Sequence, residues 1–345
     1  MSNSITRRDA IGMLSAGLAA RLIVSPSGAS HLRSEYPRTN RAIVRTILED
    51  ISPDRLTGTT LIHEHLSMST SDGSPIFYDD VKLIADEVRA CGKDGVSCIV
   101  DAGNADLGRK VESLRTVARQ SGVYIVACGG RYRKVRYPPD VFRKTADQIA
   151  DDLVDQARSE RWGALGEIGT GSDVPTDPDE RKVLQAVAKA QSRTGLPIIT
   201  HTNDGCAPCA LDQVDLFEAA GADLRHVVVG HLNNIQDRPA AVPIAIARRG
   251  AYLGFDHSGR PDDPRLDEYV VTLRAIIDAG FADRICLSSD FANAKYLRKN
   301  GGPGIDMILT TIVPRLRRAG VSDATLHTIL VENPRRVLSF EPKSA

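Results

Sequence analysis

The sequence predicts an α/β fold, a (β/α)8 TIM barrel preceded by a short β-hairpin. Three observations predict it. From Arg41 onward, short apolar runs alternate with helical patterns, which argues for a parallel sheet. The runs of buried, β-branched-rich character total eight, which favours closure. Six acidic or imidazole side chains fall at or near the C-terminal ends of these runs: His63, His65, Glu167, His201, His231 and Asp290. A closed barrel gathers such ends on one face, where an open sheet would scatter them.

The elements follow in order. VRTILEDI and LTGTTLIH, separated by SPDR, read as a hairpin whose second run is strand one. The helix VKLIADEVRACGKDG leads to strand two, SCIVDAG. KVESLRTVARQSG precedes VYIVACGG, and ADQIADDLVDQARSE precedes GALGEIG. ERKVLQAVAKAQSRTG leads to LPIITHT, and QVDLFEAAGA to HVVVGH. AVPIAIARRG comes before AYLGFDH, and LDEYVVTLRAIIDAG before the eighth strand, RICLSSD. Several of these helices end in Gly, a common C-terminal cap. DATLHTILVENPRRVLSF reads as a helix, a break at Pro334 and a short closing helix.

Residues 1–29 read as a twin-arginine export signal. Adjacent Arg7 and Arg8 precede a modestly apolar stretch, interrupted by Arg21, and Ser27, Gly28 and Ala29 offer small residues for cleavage. A linker over 30–40 joins this leader to the barrel, 41–345. The expected destination is the periplasm or the extracellular space. Lys plus Arg and Asp plus Glu each number 44, so there is no basic footprint for nucleic acid. No run of about 20 apolar residues exists that would span a membrane. The expected partner is a small-molecule substrate, and a homodimer stays open. Cys98, Cys128 and Cys286 fall inside strands and read as buried thiols, while Cys91 sits at a helix end. Cys206 and Cys209 form a lone CAPC pair, for which a loop disulfide and free thiols both stay open.

His63 and His65 lie two apart on strand one, so period two puts both imidazoles on one face. The same alternation sends Glu64 outward, toward the helix layer. Glu167 ends strand four and has two oxygens with which to bridge two cations. A glutamate in an apolar strand needs a charged partner. His201 and His231 end strands five and six, placed for the second cation. Asp290 ends strand eight, placed to ligate the first cation and accept a proton. Asp256 and His257 end strand seven and join Asp290 as catalytic candidates, in a supporting or proton-relay role. His226, before strand six, belongs to the opposite face; His31 and His327 lie outside the set. This mixture of imidazole and carboxylate suits two divalent ions, zinc first, with manganese or cobalt as alternatives. The loops of the same face are basic: Arg131, Arg133, Lys134 and Arg136 after strand three, Arg260 after strand seven, Lys295, Arg298 and Lys299 after strand eight. Arg131, Tyr132, Arg260 and Lys295 are the expected contacts to an anionic substrate group.

TLIHEH, GEIGTG, THT, VGH, FDH, SSD and the closing ENPRRVL together resemble the phosphotriesterase branch of the amidohydrolase superfamily, from about Leu56 to Phe340. The resemblance implies a binuclear barrel hydrolase in which His63, His65 and Asp290 hold one metal and His201 and His231 the other. It also implies a departure. Phosphotriesterases and related lactonases bridge their metals with a carboxylated lysine at the end of strand four, where this chain has Glu167. The subgroup called phosphotriesterase homology proteins has glutamate in this setting. LSSDFANAKYLRKNGGPGIDMILTTIVPRLRRAG is most similar to that subgroup. Organophosphate hydrolases line the site with bulky aromatics, but here the strand-three loop reads GGRYRKVRYPP, and Trp162 precedes strand four. The expected reaction is attack of a metal-bridging hydroxide on a lactone or other carboxylic ester. The alternatives are a phosphoester or phosphotriester hydrolase, or a metal-holding binding protein with vestigial catalysis.

Overall fold

A computed structural model describes residues 42–69, 77–171, 177–235, 237 and 239–343. The segment 1–29 expected to be an export signal, the expected linker 30–40 and Arg41 lie outside the described residues. Eight strands form one parallel sheet in sequence order: β3 (Thr59–Glu64), β4 (Val96–Asp101), β5 (Tyr124–Gly129), β6 (Ala164–Gly169), β7 (Ile198–His201), β8 (Val227–Val229), β9 (Tyr252–Phe255) and β10 (Ile285–Leu287). The first and last strands meet at their C-terminal ends. The His63 N–H donates to Ser288 Oγ at 3.0 Å, and the Asp290 N–H donates to the His63 carbonyl at 3.2 Å. The predicted alternation and barrel are therefore the observed ones.

Helices separate the strands: α1 (Val81–Lys93), α2 (Val111–Ser121), α3 (Ala146–Glu160), α4 (Pro178–Thr194), α5 (Ala207–Ala219), α6 (Ala241–Arg248) and α7 (Leu266–Asp278). Their limits come from local chemistry. Asp80 caps α1 by accepting from the Leu83 N–H, and Thr145 with Gln148 forms a capping box on α3. Gly122 and Gly195 end α2 and α4 in the left-handed conformation that glycine adopts without strain. Outward-facing Leu61, Ile99, Ile125 and Leu165 pack against the helix layer, whereas Ile62, Cys98, Val126, Cys128, Ala164 and Cys286 fill the barrel interior. Cys98, Cys128 and Cys286 are thus buried thiols, as their strand positions imply. Among the described residues no helix is long and apolar enough to cross a membrane.

Two local expectations are corrected. The hairpin is tighter than predicted: β1 (Val44–Arg45) pairs antiparallel with β2 (Asp50–Ile51). Thr46 Oγ1 accepts from the N–H groups of Leu48 and Glu49 and donates to the Glu49 carbonyl, so the turn closes over 46–49. SPDR instead carries the 3-10 turn Pro53–Arg55 that feeds β3. The second correction is at the C-terminal end, after α8 (Ile312–Arg318). No break occurs at Pro334. From α9 (Asp323–His327) the chain passes through a π-helical turn, Thr328–Glu332, into α10 (Asn333–Leu338). Pro334 lies in the first turn of α10, where no N–H is needed, and the wider turn absorbs the change of register. Val44, Ile51 and Leu56 pack with Val337 and Leu338 against the interior side chains, flooring the barrel at its N-terminal end. His226 lies at that end, its Nδ1 3.2 Å from the Val337 carbonyl.

Candidate metal centre

The six strand-end residues named from sequence converge. Glu167 is their middle. Its Oε1 lies 3.7 Å from His63 Nε2, 4.0 Å from His201 Nε2 and 3.4 Å from His231 Nε2. Its Oε2 lies 3.8 Å from His65 Nε2. Asp290 Oδ1 is 3.0 Å from His65 Nε2 and 3.9 Å from His63 Nε2. All six are buried. Most of these separations are too long for good hydrogen bonds. They straddle the roughly 3.3 Å between two donors on one tetrahedral zinc with bonds of about 2.0–2.1 Å, most lying a few tenths of an ångström beyond it. His63 Nε2 is buried and has no hydrogen-bond partner. The donor set therefore fits divalent cations. Two groups could hold one each: His63, His65 and Glu167, and Glu167, His201 and His231.

The electrostatics point the same way. Burial opposes charge on Glu167, but the four surrounding imidazoles outweigh it and hold the carboxyl down to about 2. Burial disfavours the His65 cation, yet the hydrogen bond and charge of Asp290 raise it to about 9. His201 falls to about 3, through burial and then the neighbouring His231. These opposed pulls mark a cluster that stores negative charge and gathers protons on His65, which a cation would displace.

Asp256 and His257 hold the ring of ligands from behind. Asp256 Oδ1 accepts from the His231 N–H at 2.7 Å and faces His231 Nδ1 at 2.8 Å, while its Oδ2 lies 3.2 Å from His63 Nδ1. One carboxylate thus fixes the His231 imidazole and faces that of His63, with both Nε2 atoms turned toward Glu167. Burial resists the Asp256 charge, but His231 and His63 keep its carboxyl well below the usual range. His257 Nε2 is hydrogen-bonded to Asp290 Oδ2, and its Nδ1 to Asn234 Nδ2, which also donates to Asp204 at 2.7 Å.

Glu64 is not directed outward. It is fully buried, and its carboxylate accepts from Ser288 Oγ at 2.7 Å, the Ser289 N–H at 2.8 Å and the Phe291 N–H at 2.7 Å. It therefore grips the chain on both sides of Asp290. The β3 register shifts between Leu61 and Glu64, which breaks the strict alternation that the outward assignment relied on. Burial raises the Glu64 carboxyl to about 8, against these hydrogen bonds. Asp101, at the end of β4, was also missed. It accepts from the Leu66 N–H at 2.7 Å and so fixes the chain just after His65. Its signal was the same one used elsewhere, an acid closing an apolar run. Asn104 Nδ2 donates to the Glu167 carbonyl at 2.9 Å, and nothing in the sequence marked it.

The expected substrate contacts divide. Tyr132 stands edge-on to His201, ring centroids 5.2 Å apart. Arg260 donates to the Asp290 carbonyl at 3.0 Å. Arg131 and Lys295 are already neutralised, by Asp106 at 3.1 Å and by Asp262 at 2.6 Å. Cys206 and Cys209 form a disulfide across the first turn of α5.

Comparison with known proteins decides the family. The Phosphotriesterase family profile matches residues 43–338. The chain belongs to the phosphotriesterase family. It is 34% identical to the Phosphotriesterase homology protein of Escherichia coli (strain K12), over 81% of this chain and 97% of that one. The crystal structure of that relative, complexed with phosphate in its active site, superposes with a TM-score of 0.74 at 31% identity, covering 82% of this chain and 99% of the other. The N-acetyltaurine hydrolase of Danio rerio is 29% identical over 87% of this chain and 99% of its own. A lactonase from Listeria monocytogenes superposes with a TM-score of 0.79 at 25% identity, covering 86% and 99% of the two chains. As a phosphotriesterase-family member the chain is a hydrolase, and its strand-end cluster could bind metals.

Proposed function

We propose that the chain is a two-metal hydrolase of a carboxylic acyl bond, with a lactone or other ester as first substrate class. His63, His65 and Asp290 would hold one cation and His201 and His231 the other, with the Glu167 carboxylate shared between the two groups. The observation that carries this is the central Glu167 carboxylate, whose Oε1 faces His63, His201 and His231 and whose Oε2 faces His65. Divalent cations held there supply a nucleophile at neutral pH and draw charge from the scissile oxygen. Asp256 fixes the His231 ring and faces that of His63, with both Nε2 atoms turned toward Glu167. Asp290 stands between His65 and His257 and is the group placed to take a proton from attacking water. His257 and Arg260 hold its carboxylate in place. Zinc suits this donor set, with manganese or cobalt as substitutes.

The acyl reading is supported by the lactonase among similar structures. Amide hydrolysis is the nearest extension of the same chemistry, and relatives named N-acetyltaurine hydrolase favour it. A phosphoester substrate is the second reading, favoured by the phosphate in the active site of the Escherichia coli relative. Metal analysis with a panel of lactones, esters, amides and phosphoesters is the test. His201→Ala should lose about one cation and most activity. Full activity of protein shown to be free of metal, in a strong chelator, would overturn the reading.

A further inference from the structure

The basic loops around the metal cluster are mostly neutralised. Arg131 pairs with Asp106, Lys134 with Asp177 and Asp179, and Lys295 with Asp262. Arg298 is enclosed by Glu87, Asp94 and Asp306. Arg133 differs. Among the described residues no carboxylate lies within ion-pair distance of its guanidinium, and its buried Nε meets no acceptor. A half-buried cation without a counter-ion is costly to keep.

The fold nevertheless holds this side chain against the cluster. Its guanidinium lies over the Tyr132 ring, 4.7 Å from the centroid, and that ring stands against His201. Its aliphatic stem crosses the end of β6 at Gly169. A Cβ there would fall 2.6 Å from Arg133 Cγ and 3.0 Å from the Tyr132 carbonyl, so only glycine admits the crossing. The backbone is pinned on both sides. The Gly169 N–H donates to the Tyr132 carbonyl at 2.6 Å, and Glu180 accepts from the N–H groups of Lys134 and Gly171 at 3.1 Å. Tyr132, Gly169 and Glu180 thus present one unpaired guanidinium beside the His201 side of the cluster.

We propose that Arg133 is the anchor for an anion on the substrate, a carboxylate, sulfonate or phosphate joined by a short linker to the scissile acyl group. The inference rests on the hydrolase reading and deepens it. The planar fork takes an oxyanion through two N–H groups while Tyr132 supports its opposite face. The neutral end of the substrate then lies toward the cluster. Specificity is set on the β5–β6 side of the barrel mouth.

The test compares matched esters, monomethyl glutarate with its anion and methyl pentanoate without one. It uses wild type, Arg133→Met and Arg133→Lys, all loaded with metal. Calorimetry with glutarate against pentanoate gives a binding readout independent of turnover. The wild type should prefer the anionic ester. Arg133→Met should reduce that preference in kcat/KM about tenfold or more, the size of a lost charged hydrogen bond, with Arg133→Lys between the two. The glutarate-to-pentanoate affinity ratio should fall in parallel. If both esters are hydrolysed and Arg133→Met leaves the preference unchanged, the anchor is wrong while the hydrolase reading stands. If neither ester is hydrolysed but Arg133→Met removes the glutarate preference, the anchor stands and the ester reading falls. An absent glutarate preference in the wild type overturns the anchor whatever the turnover.

Discussion

Asp256→Asn should separate the two cations. The carboxylate serves both His231 and His63, but through different oxygens. Oδ1 also accepts from the His231 backbone N–H at 2.7 Å, so the Asn carbonyl oxygen must stay on that side. The amide nitrogen then faces His63 Nδ1, where Oδ2 stood at 3.2 Å. Being a donor, it requires His63 Nδ1 to be the bare nitrogen, and the proton moves to Nε2. That proton points at Glu167 and Asp290, which removes the lone pair a cation needs. Loss of a group orienting a ligating histidine costs about 10–100-fold in metal affinity. A wrong tautomer puts the His63 site at or beyond the upper end, about 2.7 kcal/mol. The His201–His231 site loses only the charge behind His231 and should weaken by about tenfold. Metal content measured across buffered free-metal concentrations should therefore show two steps where the wild type shows near-coincident ones. Two cations held at wild-type affinity, or both lost together, would refute the argument.

Three further outcomes are expected. Glu167→Gln should keep the fold and weaken metal binding at both sites, Glu167→Ala should be worse, and bicarbonate should rescue neither. Glu167 is already a carboxylate, so a strong bicarbonate requirement in reconstituting the wild type would show that it is not the bridge. In chelator-treated protein, His65 has its pKa raised from 6.5 to about 9. The stability it contributes is complete below 6.5 and is lost as pH climbs through about 9, so Tm should fall over that interval. Metal-loaded protein should not follow, because a cation replaces the proton, and an equally flat Tm without metal would sink the assignment. Arg7→Lys with Arg8→Lys should trap precursor in the cytoplasm, and normal export of the double variant would remove the leader assignment.

The parts legible from sequence are those that barrel geometry makes unavoidable. Once strands and helices alternate, every strand end must reach one face, so His63, Glu167, His201, His231 and Asp290 could be grouped without knowing a single contact. Side-chain partners are different, because tertiary contacts decide them. Arg131 and Arg133 sit two residues apart in one basic loop, yet Asp106 neutralises the first and, among the described residues, no acid reaches the second. Asp106 comes from the turn after β4, which no local pattern links to Arg131. The hairpin failed for a smaller reason, since Thr46 closes a turn that contains neither Gly nor Pro.

Glu64 shows why alternation alone misdirects at a site like this one. Leu61 and Leu165 face the helices, while Ile62 and Ala164 face the interior. Strict period two would then send His63 and Glu167 outward, away from each other. Both strands avoid this by shifting register just there, between Leu61 and Glu64 and between Leu165 and Ile168. Two further ligands, His231 with φ 60° and Asp290 with φ 46°, sit in the left-handed region that side chains seldom adopt. Such residues cost on the order of 1–3 kcal/mol each and persist only where their surroundings fix them. The surroundings here are carboxylates. Asp256 takes the His231 N–H, and Glu64 grips Ser288, Ser289 and Phe291 around Asp290. The acids beside the cluster thus bear the backbone strain that aims the ligands.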